Sequence, residues 1–270
     1  MSRLLADMRS FLYIPIISVL SCYSDAFSVP KCPSRNGMIL QRTLISLAAS
    51  TTTSSTTVTG AKETLETMLV DKNGKVGIEV LEPYLKAVES RNTYKEPNRE
   101  ANYKGTWHVW YSNAPPPSNG QLGPFQGSAE QAIAIQGDSY KNVLRLPPNS
   151  SDDAWLTVVL DGIWEDWDGQ EIQENGVENA AAATAAADTG SKSRNDPDWG
   201  AKFWKVTFLR LNFILFGKQL LSKDFPAGVA RVWRTTYLDD ETRIVRAGRT
   251  GRVEDESIFY MKRTPRPLSS

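Results

Sequence analysis

Near the C-terminal end, the segment TTYLDDETRIVRAG (Thr235 to Gly248) sets three carboxylates, Asp239, Asp240 and Glu241, beside two arginines, Arg243 and Arg246. Carboxylates next to guanidinium groups can perform acid/base chemistry or can tie a fold together. The spacing favours the second. Neighbouring Asp239 and Asp240 point to opposite faces of any extended segment, so they form a poor acid/base pair. "YLDD" reads as a strand end and a turn, where aspartates accept hydrogen bonds from the backbone. "TRIVRAG" then opens the return strand. On this reading the carboxylates orient the arginines or cap the turn.

Other reactive groups are scarce. His108 is the one histidine, and the cysteines are Cys22 and Cys32. A metal centre of several histidines is excluded, and beyond Cys32 there is neither a disulfide nor a zinc–thiolate site. A serine triad could use only His108 as its base. No G-x-S-x-G elbow, phosphate-binding P-loop or G-x-G-x-x-G is present. The start of "DKNGKVG" is like a calcium loop but lacks the remaining ligands and the closing Glu. No metal and no cofactor are expected. An enzyme on this chain would rely on carboxylates such as Glu165, Asp166 or Asp239, on Tyr or Lys, or on a bound cofactor. The 31 basic and 31 acidic residues balance, which gives no footing for nucleic acid.

The elements that would position these groups fall into two kinds. "AKETLETMLVDKNGKVGIEVLEPYLKAVESR" carries Leu65, Met68, Leu69 and then Ile78, Leu81, Leu85, Val88 at helical spacing, with a turn between. From Tyr103 the period changes to two. "GTWHVWYS", the pair of runs around Gly137–Asp138, "AWLTVVLDGIWEDW", "FWKVTFLRLNFILFG", "VARVWRTTYL", "TRIVRAG" and "SIFYMKR" read as seven or eight strands. Helix at the front and strands thereafter predict a mainly β fold, an antiparallel barrel or sandwich with a helical lead. "NAPPPSNGQLGP" is a stiff loop. Residues 168–200 are alanine-rich, low in complexity and poor in other apolar residues, and are expected to be an insertion that buries too little surface to order itself.

In small closed barrels, a G-x-W at the start of the first strand, here Gly105 and Trp107, places the indole inside as a plug at the narrow end. An arginine from the last strands can lie across its face. Arg243 and Arg246 are the candidates. Inward rows would be Trp107/Val109/Tyr111, Leu156/Val158/Leu160, Val206/Phe208, Trp233/Tyr237 and Phe259/Met261, an apolar calyx or a filled core. Exposed Trp110, Trp164 and Trp167 would be the contacts to a membrane surface.

The front of the chain is chemically different. Up to Gly60 there are five basic and two acidic residues, and none is acidic from Phe27 to Lys62. "FLYIPIISVLSCY" after Arg3 and Arg9 is too short to span a bilayer and suits a signal peptide over 1–26. The Ser/Thr-rich stretch 27–61 has transit-peptide composition. Together, with Phe27 at the junction, they resemble the two-part plastid presequence of algae with secondary plastids. The remaining expected boundaries are a domain over 62–263 and a tail over 264–270.

"TTYLDDETRIVRAG", followed by "SIFYMKR", resembles the C-terminal signature of the plastid lipid-associated family, the fibrillins or plastoglobulins. "GTWHVWYS" and the helical lead match the start of that pattern. The resemblance implies a lipocalin-like barrel that is not an enzyme and binds a carotenoid, quinone or other prenyl lipid at thylakoids or plastoglobules. Trp107, Val109, Tyr111, Val158, Leu160, Phe208, Trp233, Tyr237 and Phe259 would then be ligand-binding. Gly105, Leu238, Asp239, Arg243, Arg246 and Gly248 would form the structural motif. A plastid enzyme is a further possible partner, with 168–200 as the contact. Two alternative functions are an enzyme on the same fold that modifies a pigment or prenyl lipid, and a scaffold for a prenyl-lipid biosynthetic enzyme.

Overall fold

Leucines spaced by three and four residues build the first two elements, α1 (Val58–Asp71) and α2 (Ile78–Glu89). A computed structural model describes residues 58–150, 153–170, 172 and 198–267. The signal segment, most of the transit segment and most of the 168–200 insertion lie outside the described residues. The expected boundary at 61/62 falls inside α1. Leu65, Leu69, Leu81, Leu85 and Val88 are buried. They pack with Trp110, Tyr111, Ile244, Ile258 and Tyr260 on the outer face of a sheet.

The strands are β1 (Gly105–Ser112), β2 (Gln121–Leu122), β3 (Phe125–Gln126), β4 (Ser128–Ile133), β5 (Ser139–Leu146), β6 (Leu156–Asp166), β7 (Phe203–Leu215), β8 (Lys218–Asp224), β9 (Ala230–Leu238), β10 (Thr242–Gly248) and β11 (Ser257–Lys262). The chain is mainly β, as its period-two pattern predicts. All pairings are antiparallel, and nine strands form one sheet in the order β6-β5-β4-β1-β11-β10-β9-β7-β8. Because β6 also pairs with β7, the strands ring round and the ladder returns on itself. The segment FWKVTFLRLNFILFG has the length of a strand pair, but its turn comes only at its end, at Phe216–Gly217. β7 is one 13-residue strand that pairs with β6 along one edge and on the other with β9 beside Phe203–Thr207 and β8 beside Arg210–Leu215. The sequence pattern did not reveal β8 or the small β2–β3 hairpin.

The closing seam depends on one glycine. Gly162 sits where the β6–β7 register shifts, and a Cβ there would lie 2.7 Å from the Thr207 carbonyl oxygen. Contacts that short do not occur, so only glycine lets the two strands approach here.

The pairings also fix the two ends of the ring. β1 and β10 both run against β11 and therefore finish at the same end. That end carries the Pro115–Ser118 loop, the β2–β3 hairpin and the turn between β7 and β8. At the other end two short 3-10 turns, Pro97–Arg99 and Ala101–Tyr103, lead into β1.

Candidate functional site

The plugged end assembles around Trp107, which is fully buried. Its indole Nε1 donates to the Tyr103 carbonyl at 2.8 Å. Tyr103 meets Trp204 edge-on at 4.4 Å, and Trp204 stacks on Trp164 at 3.8 Å. Guanidinium groups reach Trp107: Arg243 lies 5.3 Å from the ring centre and Arg263 only 3.6 Å. Arg263 is the residue the sequence reading missed. Its position was legible in principle, since it directly follows β11, the strand paired with β1. Gly105 makes room for it: φ is +98°, and Arg263 Nη1 lies 3.0 Å from where a Cβ would be.

Arg243 and Arg246 part company. Arg243 is buried inside, 4.8 Å from the Tyr103 ring centre, and donates to Gln131 Oε1 and, at 3.4 Å, to Met261 Sδ. Burial pulls its pKa below the usual arginine range. Arg246 points outward and does not lie over Trp107. It pairs with both Glu89 oxygens, at 2.7 and 2.8 Å, and with Glu82 at 3.2 Å, both on α2. Three positions apart on one strand means opposite faces.

Asp239 caps the turn, and neither aspartate bonds Arg243 or Arg246. Asp239 Oδ1 accepts the N–H groups of Glu241 and Thr242 at 2.8 and 2.6 Å. Its Oδ2 accepts from Lys62 and from the Tyr237 hydroxyl, both at 2.7 Å. Asp240 accepts from Asn102 at 3.1 Å. Leu238 is buried in the inner core beside the same turn. None of the carboxylates proposed for acid/base work lines a cavity. Glu165 pairs with Lys205, and Asp166 with Arg99.

Above the plug, the ring encloses a cavity of about 280 Å³. Six of the expected ligand-binding residues line it: Val109, Val158, Leu160, Phe208, Trp233 and Phe259. Trp107 lies below it. Tyr111 and Tyr237 are corrections, because both belong to the outer core under the helices. The reason is a β-bulge in each strand. The β1–β11 register shifts between Val109 and Tyr111, and the β9–β10 register shifts at Thr235 and Tyr237. Each extra residue turns the following side chains to the other face. The remaining inward rows pack inside as their alternation predicts.

At the cavity floor, level with Trp107, stand Gln131 and Asn142. At the mouth stand Pro115–Ser118, Arg231, Gly248, Arg249 and Asp255. Burial, reinforced by Arg249, pulls Arg231 down to about 10. Trp110 and Trp167 are each 6 % exposed and Trp164 is stacked, so these three do not form a membrane-facing rim. The exposed rings at the mouth end are instead Phe125, which meets half-buried Trp155 at 5.5 Å, and Phe216 in the β7–β8 turn. Residues 264–266 are also more than a tail. The Thr264 carbonyl accepts from Trp110 Nε1, and Arg266 reaches Trp110 O at 2.6 Å and Asn73 at 2.9 Å.

No protein-family model matches this sequence, and no curated protein matches it.

Proposed function

We propose that the chain is a plastid lipid-associated protein of the fibrillin type, a lipocalin-like barrel that holds a small lipophilic molecule. The observation that carries this reading is the cavity itself: a ring of strands, plugged by Trp107 at one end, around about 280 Å³ lined chiefly by aliphatic and aromatic side chains. The volume lies close to the lower limit of small-molecule pockets, roughly 300–1,000 Å³. Moving apolar surface from water into such a pocket is favourable by ~25 cal/mol per Å². Carotenoids, quinones and other prenyl lipids fit the chemistry of the walls. The arginine-backed G-x-W and the Tyr-Leu-Asp turn support the family resemblance, since each has a structural task here.

Association with a thylakoid or plastoglobule surface would be peripheral. No helix among the described residues is long and apolar enough to cross a membrane. The exposed Phe125, Phe216 and Leu220 lie at the mouth end or on the strand leading from it, and would be the contacts. A two-part presequence would deliver the protein to the plastid.

The test is to incubate the full-length protein with thylakoid lipid extract, repurify it and identify co-eluting molecules by mass spectrometry. A prenyl lipid or pigment near one per chain is expected. A protein that emerges empty would overturn the reading.

A further inference from the structure

The cavity floor is polar where the walls are not. Gln131 and Asn142 are partners across the β4–β5 ladder, and both line the cavity. Gln131 is 1 % exposed. A side-chain amide has an acceptor end and a donor end, whereas a guanidinium can only donate. The bond from Arg243 Nη2 therefore fixes Gln131 Oε1 toward Arg243 and turns the amide N–H₂ away from it. Asn142 Oδ1 accepts the Tyr140 hydroxyl at 2.5 Å. Burial pushes the Tyr140 pKa up, so its phenol stays a donor. Both amides thus have their oxygens held by protein groups, and neither N–H₂ bonds to any of the described residues.

Two further observations point the same way. Trp233, in the cavity wall, has a buried indole N–H without a partner, and Arg243 has Nε and Nη1 without partners. No carboxylate pairs with Arg243 among the described residues. The floor of the cavity therefore offers two amide donors, backed by a guanidinium that faces the Tyr103 and Trp107 rings and has no carboxylate beside it among the described residues. Donors facing pure hydrocarbon would be left unmade, at a cost.

We infer that the cavity takes an apolar molecule that carries an oxygen acceptor, a carboxylate or a ring carbonyl, seated on the Gln131 and Asn142 amide N–H groups. Arg243 acts through Gln131 as a positioning residue. The ligand lies head inward, with its hydrocarbon toward the mouth. This rests on the lipid-binding reading above and adds polarity and direction to it.

The test uses the full-length protein and three probes with similar tails: dodecanoic acid, a decyl-substituted benzoquinone, and dodecane. Binding is followed by tryptophan fluorescence and native mass spectrometry. At least one of the two oxygen-bearing probes should bind about tenfold or more tightly than dodecane, and the stronger one identifies the head group. Asn142→Leu should weaken that probe about tenfold and leave dodecane unchanged. Gln131→Glu keeps an acceptor for Arg243 while removing the donor, so it should reject the acid most strongly. For bound quinone, the carbonyl stretch should move to lower frequency in the native protein and return in Asn142→Leu. This readout does not depend on affinity. Equal binding of all three probes, or indifference to Asn142→Leu, would overturn the inference and leave the lipid-binding reading standing. If no probe binds, both fall.

Discussion

Arg246 and Glu89 tie the helices to the strands. The pair is bidentate and each side chain is about one-seventh exposed, at 14 % and 13 %. Glu89 also accepts the Thr236 hydroxyl at 2.5 Å. Removing one partner leaves the other charge half-solvated against the sheet. Arg246→Ala should therefore cost about 3 kcal/mol in urea unfolding, and the Arg246→Ala/Glu89→Ala double variant should cost clearly less than the two single variants added together. Asp239 gives a pH signature. Burial alone would raise its carboxyl, but the bonds from Lys62, Tyr237 and the Glu241 N–H outweigh it and hold the pKa below the usual range. A depressed folded value means that the stabilisation is complete above the unfolded value of about 3.9 and is lost as pH falls through the folded one. Between pH 5 and 3, stability should fall less steeply in Asp239→Asn than in the native chain. His108 adds an earlier step. Burial, helped by Arg145 and opposed by Glu130, depresses its folded pKa. Stability should start to decline as pH drops below about 6.5, and His108→Gln should remove that first decline.

At the level of elements, the ring depends on strands that bend where alternation fails. Gly162→Val would place methyl groups against the Thr207 carbonyl at the β6–β7 seam. A loss of about 1–3 kcal/mol is expected, with faster amide exchange in β6 and β7 than in β10 and β11. The same geometry explains what the sequence could and could not reveal. The helices, the period-two strands and most inward rows were legible, because burial on one face writes itself as spacing. Tyr111 and Tyr237 were assigned to the wrong face because a bulge inserts one residue without any compositional mark. β8 went unseen because its residues are almost all exposed and show no alternation. At the site, Trp107 and Arg243 were legible from motif and strand position. Gln131 and Asn142 were not, since a lone amide in a strand looks the same whether it faces water or a cavity.

For the whole molecule, the direction of the strands places the mouth, the Pro115–Ser118 loop and the exposed Phe216 at one end. Phe216 is 60 % and Leu220 53 % exposed, beside Lys218 and Lys223. If that end meets a lipid surface, Phe216→Ser/Leu220→Ser should lower flotation with thylakoid-lipid vesicles severalfold while thermal stability stays within a degree or two, because neither side chain is in a core. The segment between β6 and β7 departs and returns at the opposite pole. Trp167, Trp199 and Phe203 form one aromatic cluster there, and Arg99 bonds both Asp166 and Asp198. From Asp166 and Trp204, just inside that cluster, β6 and β7 run on as a ladder of eleven residue pairs. A protease that nicked the chain between β6 and β7 should leave two fragments still zipped along that seam, with the mouth of the cavity, at the other end of the ring, unaltered.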